Sequence, residues 1–158
     1  MIFTKPKTYE DIRSQLDKND VITIISCSSC ARVAGTGGEK PMKNLAFRLR
    51  QDGYRVLDGY TINTVCTPKV FQARLGRQVN TLISLTCSAG TCNLEQLFQG
   101  HKVIEANIDI GLMSADNVKK TIRVEVPYEG HEHLRGKEYE MFTGCEIIGK
   151  QRTEEVAK

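Results

Sequence analysis

The sequence predicts an α/β fold: a Rossmann-like parallel sheet flanked by helices, with a short C-terminal β extension. Three observations lead there. Apolar, β-branched runs recur with helical segments between them, the pattern of strands buried on both faces and joined by crossovers. The connections between these segments are only a few residues long. After about residue 115 the pattern changes to alternating polar and apolar residues, which suits hairpin strands. The expected organisation is a cysteine-site α/β unit over 1–115 and a β-rich extension and tail over 116–158, within the same domain.

In chain order, "TYEDIRSQL" opens with Thr8 as an N-cap and Asp11 three residues later, which predicts a helix. "DVITIIS", residues 20–26, reads as a strand buried on both faces. "EKPMKNLAFRLRQDG" places Met42, Leu45 and Leu49 on one helical face and stops at Gly53. "YRVLDGYTINTV" returns to strand character, with Asp58 and Gly59 expected to end its regular part. "TPKVFQARLGRQ" reads as a helix with Pro68 near its start. "NTLISLT" is a third strand, "CSAGTC" a loop, "NLEQLFQG" a helix and "KVIEANID" a fourth strand. "NVKKTIRVEVPYEG" and "KEYEMFTGCEIIGK" suit a hairpin or added edge with "GHEHLRG" as its turn, and "QRTEEVAK" a frayed tail.

With 158 residues, the chain is long enough to bury a core without disulfides. Its net charge is +3 with the signs interspersed, which gives no support for nucleic-acid or anionic-membrane binding. No apolar run approaches the roughly 18–20 residues of a bilayer span. The N-terminus lacks the apolar core of a secretion signal, so a cytoplasmic location is expected. Six cysteines in such a chain point to metal binding or catalysis rather than disulfides.

Their positions carry the functional expectation. Cys27 and Cys30 follow the first strand, Cys66 the second, and Cys87 and Cys92 bracket the loop after the third. In a parallel sheet the C-terminal strand ends share one edge, where open α/β sheets build their sites. Thiolates gathered there hold zinc or a [4Fe–4S] cluster in preference to magnesium or calcium. Gly35, Gly37, Gly38 and Gly90 are expected to let backbone N–H groups approach such a cofactor. Cys145 is expected to be structural or free; His131 and His133 lie in a polar turn, and His101 carries no special signal.

Other chemistries fit the same residues less well. A thiol oxidoreductase would use Cys27 and Cys30 with a thiolate activated by a helix N-terminus. Against it, Cys30 is expected to lead into a glycine loop, and the other thiols would go unused. A phosphatase-like cradle would need Arg32 one residue further from Cys27. "GTGGEK" lacks the spacing of a phosphate loop. No acid–base pair or Ser/His/Asp set stands out, so the chain is read as a non-catalytic subunit.

"CSSCARVAGTGGEKPMKNLAFRLRQDG" and "NTLISLTCSAGTCNLEQLF" resemble the cysteine-rich module associated with methylenetetrahydrofolate reductase, which occurs as a small partner subunit or as a fused extension. The resemblance covers roughly residues 20–112. It rests on Cys-x-x-Cys, on Thr36 to Lys40, and on Leu85-x-Cys87 with its small-residue loop. It implies that Cys27, Cys30 and Cys87 are ligands, with Cys66 near a further one, of an iron–sulfur cluster or zinc. It also implies a flavoprotein or other redox partner. The chain departs from the family at Ala34, where a further cysteine is often found, and it lacks a second cysteine-rich segment. Cys92 or Cys66 would then complete a set of four. Three functions follow in order: an iron–sulfur electron-transfer or accessory subunit, a structural zinc module for subunit binding, and a metal-free thiol oxidoreductase.

Overall fold

The computed structural model describes residues 1–67 and 74–149. It is an α/β structure with two sheets of four strands each. Strands β2 (Val21–Cys27), β3 (Arg55–Ile62), β4 (Thr81–Leu85) and β5 (Lys102–Glu105) form an all-parallel sheet in the order β3-β2-β4-β5. Strands β1 (Ile2–Pro6), β6 (Asn107–Asp116), β7 (Thr121–Pro127) and β8 (Glu138–Glu140) form an antiparallel sheet in that order.

The parallel sheet is covered on both faces, as its apolar runs require. Side chains alternate along a strand, so Ile22 and Ile24 point one way and Ile25 and Cys27 the other. The first pair packs with Ile12 of helix α1 (Tyr9–Arg13) and with Met42 and Leu49 of α3 (Glu39–Gln51). The second packs with Val65, with Ala31 of α2 (Cys30–Val33) and with Leu94 of α4 (Ser88–Leu97). The long helix after β2, α3, therefore covers one face and the helix after β4, α4, the other. Strand order reverses between these two neighbours, the topological switch point of such a sheet.

Several local expectations hold. Thr8 caps α1 by accepting from the Asp11 N–H, and α3 ends before Gly53, whose φ is +82°. The hairpin expected after residue 115 pairs β7 with β8 around a short 3-10 turn at Glu132–Leu134.

Four expectations change. "MIFTKP" is a strand, β1, which pairs with β6 and buries Phe3. Strand β3 runs past Asp58 and Gly59 to Ile62, because a bulge at Leu57 restores its pairing with β2. "CSAGTC" is not a loop: Cys87 is the N-cap of α4 and Cys92 lies inside the helix. "KVIEANID" is two strands in different sheets. The chain changes sheets at buried Ala106, whose N–H bonds Ser84 O of one sheet while its C=O accepts from Lys7 N–H at the start of the other. The β extension is thus half of a sheet completed by β1 and β6, with its own core of Phe3, Ile110, Ile122, Val124 and Tyr139. The helix expected around Pro68 lies largely outside the described residues, and the expected tail wholly so.

Candidate thiol site at the strand ends

The register of the parallel sheet fixes where the cysteines fall. Cys27 is the last residue of β2, pairs with Ile62 of β3 and is buried. On its other side Ser26 pairs with Leu85 of β4, and Cys87 lies two residues beyond, also buried. Cys27 and Cys87 therefore stand on either side of the switch point. Cys30 opens α2, half-buried against the core of the antiparallel sheet. Cys66 follows β3 and is exposed. Its loop is pinned by Asn93 of α4, whose Nδ2 donates to the carbonyl of fully buried Val65 at 2.7 Å.

Electrostatics shows which of these groups are neighbours. Burial pushes the Cys87 thiol up, a nearby Gly90 N–H pulls it down, and the charges of Asp109, Cys66 and Cys30 push it up again. The Gly90 N–H faces the sulfur without the geometry of a formed cap hydrogen bond. Asp109 accepts from Ser88, from its N–H at 3.0 Å and from its hydroxyl at 2.5 Å. The Tyr128 hydroxyl is pushed up by burial and then by the charges of Asp109 and Cys87. Beneath Cys87 a buried hydroxyl network of Ser84, Thr86 and Thr91 holds the β4–α4 corner, and Asn107 Nδ2 donates to Thr86 O. Asp109, Tyr128 and Asn93 carry no motif, and sequence reading missed them. Asp109 lay within a segment that read simply as strand.

The remaining candidates stand apart in character. Cys92 is exposed on α4, its sulfur approached by Gln96. Cys145 is exposed beyond β8, His131 caps the 3-10 turn and His133 lies within it. Cys30 begins a short helix, so the expected glycine loop does not follow it directly. The glycines have packing roles. A Cβ on Gly37 would stand 2.6 Å from Cys27 O and 2.7 Å from Ala31 Cβ. Gly35 lies against the backbone of Thr143 and Gly144, Gly38 caps α3, and Gly90 lets α4 approach Thr86.

In kind, the donors suit a soft metal: thiols from three strand ends with one carboxylate beside them. Among the described residues no three Cys, His, Asp or Glu side chains stand together at metal-binding distance. No described helix is long and apolar enough to cross a membrane. Comparison with known protein families, with curated proteins and with solved structures finds no match.

Proposed function

We propose that this chain is an iron–sulfur cluster-binding electron-transfer or accessory subunit of a redox complex, with Cys27, Cys30, Cys66 and Cys87 as ligands. The observation that carries the reading is the gathering of thiols at one strand edge, with Cys27 and Cys87 flanking the switch point of the parallel sheet. Cys66 is favoured over Cys92 as the fourth ligand, because its charge reaches Cys87 while Cys92 sits exposed inside α4. Binding a cluster would require the sulfurs of Cys30 and Cys66 to close on those of Cys27 and Cys87.

A bound cluster would supply a reversible one-electron centre. Residues of the chain hold and shield it. Cys27 and Cys87 come from buried strand ends that fix their positions, the Gly90 N–H faces the Cys87 sulfur, and Val65 and Leu94 exclude water from the inner side. A redox partner, of the flavoprotein type that the resemblance implies, would dock near the thiols. Exposed Leu112 and Val126, paired across β6 and β7, together with Tyr128 beside Cys87, offer it an apolar face.

Asp109 favours a second reading, since a mixed thiolate and carboxylate donor set suits zinc. The protein would then be a docking module that carries no electrons. Single alanine substitutions separate ligands from bystanders. Metal and acid-labile sulfide should be lost in Cys27→Ala, Cys30→Ala and Cys87→Ala and kept in Cys92→Ala. Unchanged metal content in the first three would remove the proposal.

A further inference from the structure

A second candidate site lies on the opposite face of the same strand edge. A cavity of about 470 Å³ opens between α1, α3, β1 and the loop after α2, floored by Leu85 and Ala106 at the ends of β4 and β5. Its volume falls within the roughly 300–1,000 Å³ of small-molecule sites. Among the described residues no cysteine lines it, and the thiol chemistry does not account for it.

The lining is divided. Ile12, Leu45 and Phe142 give it an apolar side. Lys7, Lys40 and Arg48 bring three cations from β1's end and α3, and among the described residues no Asp or Glu lines the cavity. In a chain whose charges nearly balance, that segregation is a local excess of positive charge. Lys7 is partly neutralised by Glu105, 3.1 Å away. Lys40 and Arg48 form no ion pair among the described residues, whereas the next lysine of α3, Lys43, pairs with Glu39. Arg48 is also pre-positioned: its guanidinium lies 3.7 Å over the Tyr9 ring, and Tyr9 is held by a hydrogen bond to Asp52. Lys40 stands in the first turn of the 13-residue α3, whose dipole adds positive potential.

We propose that this cavity binds a phosphate monoester with a ring-shaped body, of mononucleotide size. Lys40 and Arg48 would hold the phosphate with Lys7 behind them, and the ring would lie against Leu45, Ile12 and Phe142. Lysine acts as a point charge on phosphate and arginine as a planar fork, while the apolar wall gives the body its affinity. The "GTGGEK" stretch contributes differently from a phosphate loop. Its Gly35, Thr36 and Gly37 N–H groups are spent on Arg32 O and Ala31 O, and Lys40 supplies the charge.

Calorimetric titration of the full chain with adenosine monophosphate, adenosine and inorganic phosphate tests this. Adenosine monophosphate should saturate at one site and bind at least about tenfold tighter than either fragment, because both halves of the cavity contribute. Lys40→Ala and Arg48→Ala, both at exposed positions, should each weaken it by about tenfold while the far-UV spectrum stays unchanged. Lys43→Ala, outside the cavity, should leave it alone. Absence of saturable binding, binding no tighter than inorganic phosphate, or equal binding by Lys40→Ala and Arg48→Ala would each overturn the proposal.

Discussion

The two faces of the strand edge differ in almost every physical respect, although one short loop borders both. On the α4 side stand thiols, the inner two buried, whose ionised forms repel one another and Asp109. On the α1/α3 side stand exposed Lys40 and Arg48 and half-buried Lys7 around a cavity. Burial and neighbouring charges push the Cys87 thiol away from ionisation; the other side carries cations and attracts anions. Gly37 sits at the divide, against Cys27 O and Leu85 O. A parallel sheet thus provides two chemically opposed surfaces at one edge, because alternate residues and alternate connections go to opposite faces.

The largest expected effect breaks the divide itself. Gly37→Val would drive a branched side chain into Cys27 O and Ala31 Cβ, neither of which can swing away. A loss of about 3 kcal/mol is expected by urea denaturation. A loss under about 1 kcal/mol would show that the loop is not wedged between the strand ends.

Next in size, the partly buried ion pair of Asp20 with Lys102 staples the α1–β2 connection to β5. Burial pushes the Asp20 carboxyl up, but hydrogen bonds from Lys102 and the Asp17 N–H outweigh it and hold the group below its ordinary value. A depressed carboxylate stabilises above its unfolded pKa, and that contribution is lost as pH falls through the folded one. Asp20→Asn should therefore cost about 1 kcal/mol at neutral pH, discounted for the partial exposure of Lys102. The difference from the parent should shrink on acidification below about pH 4. A pH-independent difference would assign the effect to packing instead.

The smallest effect sharpens the thiol side. In metal-free protein, iodoacetamide should modify exposed Cys92 and Cys145 well before Cys87, whose buried thiol resists ionisation. Raising the pH should narrow the gap. Peptide mapping that finds Cys87 modified as early as Cys92 at neutral pH would place it in a solvated environment.

How much of this was legible in the sequence depended on whether a feature is local. β2 and β4 declared themselves by continuous burial, α1 by its Thr8 cap, and the strand-end positions of Cys27 and Cys87 followed from them. Strand β1 was missed because "IFTKP" alternates too briefly to be seen without its partner β6, more than a hundred residues away. "KVIEANID" looked like one strand because a change of sheet at Ala106 needs no turn signal. The helix start at Ser88 was hidden by small residues that read as loop but sit at the first turn for close packing on Thr86. The cation-lined cavity was invisible for a different reason: Lys7, Lys40 and Arg48 come together only through packing.

The thiols at the switch point are proposed to hold an iron–sulfur cluster. Anaerobic purification with iron, zinc and acid-labile sulfide analysis, together with a visible spectrum before and after dithionite, tests it most directly. Iron and sulfide in equal amounts, with a visible absorption that bleaches on reduction, is the predicted result. A colourless protein carrying one zinc, or one with no metal and all six thiols free to titrate, would contradict it.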